Sequence, residues 1–394
     1  MRILTVLTYY RPHTSGLTIY AERLAKAWAK RGHEVTVLTS HYMKELPYEE
    51  VQEGVRIVRV PVAFRLSKGV IMPTFGFQAN REVMAHDVVQ LHLPQFDAAG
   101  VALRGRLFKK PTVITYHCDL KMPPGLISQA ANQAVLLMNI LAGTFTHRFV
   151  AYTQDYADHS PYLCQYKHKL NVIPPPVDLP LTSADEIRKF KVTHNPEEHR
   201  PVIGMAARLA SEKGVEVLLD AMPAILAVYP NALILFAGSH TGIIGEEDYR
   251  ARLMPIIEKY EASGNWRFVG NLDPQQMAAF YPNLDLLVLP SLNSTESFGL
   301  VQIEAMLNGV PCIASDLPGV RQPVTMHHMG KIIAIGDSHA LAEAALEILR
   351  QPERFKTDST AIRQPYLPDT IAAEYEALFA EMADQIKGRA GSLR

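Results

Sequence analysis

Glu296-Ser297-Phe298-Gly299-Leu300-Val301-Gln302-Ile303-Glu304 follows a short apolar run, Leu284–Leu289, through the polar loop Pro290–Thr295. The run reads as a buried strand and the quoted stretch as the opening of a helix at Gly299. Strand, loop and helix in that order form the repeating unit of a parallel sheet covered on both faces. At such a helix start the amides of Gly299, Leu300 and Val301 lack intrahelical partners and suit a phosphate. Gly299 allows the backbone to approach it closely. Glu296 stands before the helix, placed to accept from hydroxyls of a bound sugar, and Glu304, two turns in, suits a ribose diol. Either glutamate alone reads as a helix cap or a surface residue. A second segment changes that balance.

Arg208-Leu209-Ala210-Ser211-Glu212-Lys213-Gly214 follows another apolar run, Val202–Ala206, and opens the next helix. Two cations five residues apart at a strand's carboxyl end fit a diphosphate, arginine as a fork and lysine as a point charge. A departing nucleoside diphosphate gains negative charge, which such preorganised groups stabilise. Taken singly, Arg208 and Lys213 read as solvated charges; beside the glutamate pair they read as a diphosphate site.

The same rhythm runs outward in both directions. Ile3–Thr8, Val35–Thr39, Val55–Val62, Val88–Leu93, Thr112–His117 and Phe149–Thr153 are strand-like, with a helix expected from Leu17 to Arg31. Asn171–Pro201 interrupts the series with Pro174-Pro175-Pro176 and a polar stretch, which marks a domain boundary. Val202–Ala206, Leu233–Ala237, Trp266–Val269, Leu284–Leu289, Cys312–Ala314 and Lys331–Ile335 form a second set, with helices expected at Gly214–Val228 and Gln302–Asn308. A final helix is expected over Asp369–Lys387. Two doubly wound domains result, residues 1–178 and 200–364, and ligands of such sheets bind at the carboxyl ends of strands. A cleft between the domains is the expected site.

Length agrees with two cores, since 394 residues exceed what one core organises. Apolar residues at 48% and charged residues at 20% describe an ordinary globular chain, neither disordered nor fibrous. The net charge of -1 hides an asymmetry. Residues 1–180 hold 20 Lys and Arg against 13 Asp and Glu, and residues 181–394 hold 19 against 27. A basic half facing an anionic surface or acceptor and a simple solubility pattern explain this equally well. Cys118, Cys164 and Cys312 are too scattered for a disulfide framework or a structural zinc site. Met1–Leu7 runs straight into a strand pattern rather than a leader, and no apolar stretch is long enough to span a bilayer. A cytoplasmic protein, soluble or peripheral at the inner membrane face, is the expectation.

These motifs, in this order and over essentially the whole chain, resemble glycosyltransferase family 4, whose members have the GT-B fold: two Rossmann-like doubly wound domains facing each other across a cleft. The resemblance implies an α/β architecture, a sugar-nucleotide donor held by the second domain and an acceptor-side first domain. The helix Asp369–Lys387 would cross back onto that first domain. It gives Arg208 and Lys213 the donor diphosphate and the leaving group, Glu296 the donor sugar and Glu304 the ribose. Ser297, Phe298, Gly299, Leu300 and Val301 line the donor. Thr14-Ser15-Gly16 takes the place of the family's glycine-rich first loop, with Gly16 against the donor, and His117 that of the strand-end histidine near the reacting sugar. Gly238, Gly270, Asn271 and Leu272 belong to turns lining the nucleotide. Two departures stand out: Ser15 where a second glycine is common, and Pro174-Pro175-Pro176-Val177-Asp178 where Asn-Gly often precedes Val-Asp.

The implied reaction retains the anomeric configuration: the acceptor hydroxyl attacks from the face the phosphate leaves, and a phosphate oxygen takes its proton. No cofactor is implied, and without an Asp-x-Asp motif no metal dependence is expected. UDP is favoured over GDP or ADP on its frequency in the family. The acceptor is expected to be a lipid-linked or polysaccharide hydroxyl, with a small soluble acceptor as the alternative. Its site is expected in Ser40–Pro47, Phe64–Phe77 and Asp119–Leu126. An epimerase or hydrolase of the same fold, or a silent sugar-nucleotide-binding protein, are the competing readings. Nucleic acid is not an expected partner, and the basic cluster Arg104, Arg106, Lys109 and Lys110 reads as a solvated helix end or a membrane-surface contact. Asn293-Ser294-Thr295 matches a glycosylation pattern but is expected to be fortuitous, and His327-His328 lacks a third metal ligand.

Overall fold

The computed structural model describes residues 1–66, 69–119 and 126–391. It divides into two compact units, residues 1–177 with 365–394, and residues 178–364.

The first unit is built on an eight-stranded sheet in the order β10-β9-β8-β7-β1-β2-β4-β3. The strands are β1 (Arg2–Val6), β2 (Glu34–His41), β3 (Glu49–Gln52), β4 (Val55–Pro61), β7 (Val88–Leu93), β8 (Thr112–Tyr116), β9 (Arg148–Ala151) and β10 (Leu170–Val172). A separate hairpin pairs β5 (Phe64–Leu66) with β6 (Gly69–Ile71). All pairings in the large sheet are parallel except β3 with β4. The central strands β7 and β8 are buried at every residue, which is why their sequences are mostly apolar rather than alternating, with Gln90 and His92 as buried polar exceptions in β7.

The expected C-terminal helix spans Pro368–Gly391 and belongs to this unit. It docks on the helix Gly16–Lys30, which follows β1. Trp28, fully buried, meets Tyr375 and Phe379 edge-on and tilted at 5.6 and 5.7 Å, and its Nε1 donates to the Ala372 carbonyl at 3.3 Å. Outside that seam Arg31 pairs with Asp369 and Glu376.

The second unit holds six parallel strands in the order β13-β12-β11-β14-β15-β16. They are β11 (Val202–Ala206), β12 (Leu233–Ala237), β13 (Trp266–Gly270), β14 (Leu286–Leu289), β15 (Cys312–Ser315) and β16 (Gly330–Ile333). The order reverses beside β11, the switch point at which doubly wound sheets place ligands.

One segment departs from the expectation. Residues 178–199, polar enough to read as a linker, belong to the second unit and contain the helix Ala184–His194. Ser183 and Glu186 close a reciprocal capping box at its start, and Phe190 is its single buried residue, packed edge-on to Phe280 at 6.0 Å. One apolar anchor leaves too weak a periodicity to reveal such a helix from sequence.

Candidate active site

The second unit gathers its candidate residues on four neighbouring strand ends. After β11 the chain turns through Arg208 and a single 3-10 turn, Ser211–Lys213, into Gly214 at φ +67° and the helix Val215–Val228. A Cβ on Gly214 would lie 2.0 Å from the Pro290 carbonyl oxygen, so only glycine lets this loop press against the one that follows β14. The Leu292 amide then donates to the Glu212 carbonyl at 2.9 Å, stitching the two loops together.

That contact sets the central pair. Lys213 Nζ donates to Glu296 Oε2 at 2.6 Å, and Glu296 Oε1 accepts the Gly299 amide at 3.1 Å. Gly299, at φ +79°, starts the helix Leu300–Met306, and a Cβ there would lie 2.3 Å from Leu289 Cδ2. Gln302 Nε2 donates to the Phe298 and Val320 carbonyls at 3.0 and 2.9 Å, holding the turn from beneath. Ser297 and Phe298 are buried, while Leu300 and Val301 are partly open. Arg208 is half-exposed and pairs with Glu212 at 2.9 Å. Arg208 therefore holds a carboxylate of its own loop and Lys213 one of the neighbouring loop, partners that an anionic ligand would have to replace or share.

Glu304 is buried rather than on the surface, and Tyr281 donates its hydroxyl to Glu304 Oε2 at 2.6 Å. Sequence reasoning missed Tyr281, because 22 residues separate it from Glu304 and nothing local marks it. Beside this, Gly238 lies after β12 at φ +136°, where a Cβ would meet the Ala207 carbonyl oxygen at 2.1 Å. Its amide donates to the Gly270 carbonyl at 2.8 Å, and Ser239 Oγ donates to Asn271 Oδ1 at 2.9 Å. His240 stacks on Phe268 with centroids 4.1 Å apart. Asn271 is exposed and Leu272 half-buried. Glu246, also missed, accepts the Ser211 amide at 2.9 Å and steadies the Arg208 turn.

The first unit carries the other two sequence candidates, Gly16 and His117, and their settings differ. Gly16 is exposed, has no positive φ, and a Cβ would meet nothing within 4 Å. Ser15 caps the helix, accepting from the Thr18 amide at 3.2 Å, so serine substitutes for glycine by hydrogen bonding. His117, directly after β8, is 7% exposed, and both ring nitrogens are engaged inside the domain. Nε2 shares a hydrogen bond with His92 Nδ1 at 2.7 Å, and Nδ1 one with the Tyr152 hydroxyl. Tyr20, on the helix that Gly16 opens, stands edge-on to His117 at 5.2 Å and meets the Tyr375 hydroxyl at 2.8 Å. Burial drives both imidazoles toward the neutral form, His92 to a pKa of about 3, with the neighbouring His92 adding to the effect on His117. His92 was legible in principle: it stands near the end of the strand next to Thr115-Tyr116-His117.

The acceptor-side expectations fall partly on residues 67–68 and 120–125, outside the described residues. A cavity of about 650 Å³ in the second unit sits at the opposite, amino end of the sheet, among Arg200, Asp285, Leu284 and Val310, and takes no part in these motifs. Among the described residues no helix is long and apolar enough to cross a membrane.

Comparison with known proteins bears on the family and the fold. Residues 14–180 match the family model for Glycosyltransferase Family 4, and residues 186–363 that for Glycosyl transferases group 1. The phosphatidyl-myo-inositol mannosyltransferase of Mycobacterium leprae is 24% identical over 97% of both chains. The glycogen synthase of Mycobacterium tuberculosis is 26% identical over 94% of this chain and 91% of its own. Among solved structures, Anabaena HepE in complex with UDP and glucose superposes with a TM-score of 0.75 at 19% identity, over 96% of this chain and 99% of that one. The sucrose-phosphate synthase of Thermosynechococcus elongatus gives 0.73 at 21% identity, over 97% and 98%. Two Rossmann-like sheets, a Lys213–Glu296 pair at adjacent strand ends and matches along both halves make this chain a member of glycosyltransferase family 4, with the GT-B fold.

Proposed function

We propose that the protein transfers a hexose from a nucleoside-diphosphate sugar to a hydroxyl acceptor with retention of anomeric configuration. The observation that carries this is the Lys213–Glu296 contact beside Arg208, at the switch point of the second sheet. Arg208 and Lys213 take the diphosphate and stabilise the charge it gains on leaving, helped by the first amides of the helix Leu300–Met306. Glu296, released from Lys213, accepts from hydroxyls of the transferred sugar, and Glu304 accepts from the ribose in place of Tyr281. Gly238, Gly270, Asn271 and Leu272 line the nucleotide, with Ser297, Phe298, Gly299, Leu300 and Val301 behind the sugar and phosphates. The acceptor hydroxyl loses its proton to the departing phosphate oxygen as the new glycosidic bond forms. Within the first unit, Gly16 leaves open space for a ligand at its helix start, and His117 becomes available to a sugar hydroxyl by exchanging its bond to His92 or Tyr152.

UDP is the nucleotide of first choice, supported by HepE having been crystallised with UDP and with UDP-glucose. A second reading rests on a GDP-mannose-dependent alpha-mannosyltransferase of Mycolicibacterium smegmatis, 25% identical over 96% of this chain. A thermal-shift series with UDP, GDP, ADP and their sugar conjugates, without added metal, separates the two. A ligand at 100 times its Kd stabilises the unit it binds by ~2.7 kcal/mol. A shift with UDP alone supports the first choice, one with GDP alone the second, and no shift with any nucleotide removes the donor assignment.

A further inference from the structure

The amino end of the first unit's sheet holds a feature that sugar transfer does not use. A cavity of about 330 Å³ opens there, lined by Arg106, His147, Arg148, His168, Lys169 and Gln385 among others. Arg106 comes from the last turn of the helix Ala98–Leu107, and His147 and Arg148 from the start of β9. His168 and Lys169 stand before β10, and Gln385 lies on the C-terminal helix. Five of the six are basic.

Their charges are poorly compensated. Arg148 pairs with the exposed Glu381 at 3.2 Å and reaches Gln385 at 3.0 Å. Arg106 and His168 are exposed and have no side-chain partner among the described residues. Lys169 spends its ammonium on the carbonyls of Gly143, Thr144 and Thr146 at 3.0, 3.1 and 3.0 Å, so it is a fixed charge rather than a spare donor. Its pKa is held below the ordinary lysine value by burial, then by Arg106 and Arg148, which places the three cations within each other's field. The unit as a whole carries 23 Lys and Arg against 17 Asp and Glu.

The geometry points to a phosphate-binding site in this cavity, with the phosphate group held by Arg106, Arg148 and His168 in the field of Lys169. A concave surface with an unused guanidinium fork is the setting in which phosphate is gripped by two N–H groups at once. The volume lies at the small end of ligand sites, and Met382 and Ile386 add apolar wall, which suits a phosphomonoester on a glycerol- or sugar-sized body. A phosphate here competes with Glu381 for Arg148, so occupancy is felt by the C-terminal helix. The site shares no residue with the donor constellation and stands or falls independently of it.

The test uses the full chain, titrated with inorganic phosphate and with glycerol phosphate against sodium chloride at matched ionic strength, followed by hydrogen exchange. The site predicts slowed exchange in residues 143–148 and 378–386 with either phosphate and not with chloride. Arg106→Ser weakens that binding by about ten-fold or more, the worth of a charge-assisted hydrogen bond. Because Arg106 is exposed and unpaired, its melting temperature stays at the wild-type value, and Arg106→Gln gives the same loss. Vesicles of phosphatidylcholine with and without phosphatidic acid, whose headgroup is a phosphomonoester, distinguish the source. Sedimentation only with the anionic vesicles, lost in Arg106→Ser, assigns a lipid headgroup, and protection by free glycerol phosphate alone assigns a soluble ligand. Equal effects of phosphate and chloride, or protection confined to residues 208–214 and 296–301, together with no vesicle difference, overturn the proposal.

Discussion

The carboxyl ends of the two sheets are built on opposite principles. In the second unit, loops pressed together at Gly214 present a half-exposed Arg208 and a largely buried Lys213–Glu296 pair, each charge bonded to a neighbour that a ligand can replace. In the first, Tyr20, His92, His117 and Tyr152 form a buried cluster, and the hydrogen bonds of His117 turn inward. Charge held in reserve is what the proposed donor site offers a polar, charged ligand. Neutral, buried imidazoles bonded to each other and to Tyr152 mark a part whose geometry is fixed in advance. The largest effect should therefore come from these cations: Arg208→Ala or Lys213→Ala lowers turnover by roughly 10²–10³-fold, the scale for one preorganised charge stabiliser. Steady-state rates check this, and wild-type turnover in Arg208→Ala would break the contrast at its root.

The glycines sharpen it next. Gly299→Ala forces a Cβ to 2.3 Å from Leu289 Cδ2 in a left-handed residue, so it should destabilise the second unit by at least ~2 kcal/mol. Gly16→Ala meets open space with an ordinary φ and should stay within about 0.5 kcal/mol. Calorimetry resolves the two, provided each unit's transition is followed separately, since a two-domain chain has no single unfolding free energy. Equal losses for both would show that the first loop is packed as tightly as the second.

Much of this was legible in the sequence, for a physical reason. Strands buried on both faces are mostly apolar, and helix starts that need glycine or a carboxylate show them, so Glu296, Gly299, Arg208 and Lys213 stand out. The groups that complete the site do not. Tyr281 reaches Glu304, and Glu246 the Ser211 amide, only because segments distant in sequence meet in three dimensions. The inward turn of His117 depends on Tyr152 and His92, brought there by two other strands. The helix Ala184–His194 was hidden because it buries only Phe190.

The buried imidazoles make a third difference measurable by pH. A histidine whose folded pKa lies below its unfolded value is neutral in the fold and takes up a proton on unfolding. The stability it contributes is complete above about pH 6.5 and is lost as pH falls toward the folded pKa, about 3 for His92. Each such group costs ~1.4 kcal/mol per pH unit in that window. Asp97, raised to about 6 by burial, acts in the opposite sense between about pH 4 and 6 and cancels part of one histidine. With His92 and His117 both depressed, the first unit should lose melting temperature faster than the second between pH 6.5 and 4.5. His92→Phe should flatten that slope, and parallel slopes for the two units would sink the idea that the cluster is held neutral.

The smallest effect separates the two kinds of helix start. Ser15 accepts the Thr18 amide and so uses one free donor of the helix Gly16–Lys30 within the protein. The helices Val215–Val228 and Leu300–Met306 begin at left-handed glycines without a side-chain cap, leaving first-turn amides to other partners. Ser15→Ala should cost about 1 kcal/mol, the usual worth of an N-cap, and should leave nucleotide affinity unchanged. Nucleotide binding weakened along with stability would mean that the serine side chain serves the donor as well as the helix. Unchanged affinity with the stability loss leaves the helix Leu300–Met306 as the start that faces an anion, since the Val215 amide of the other glycine-started helix already donates to the Tyr249 hydroxyl at 3.2 Å.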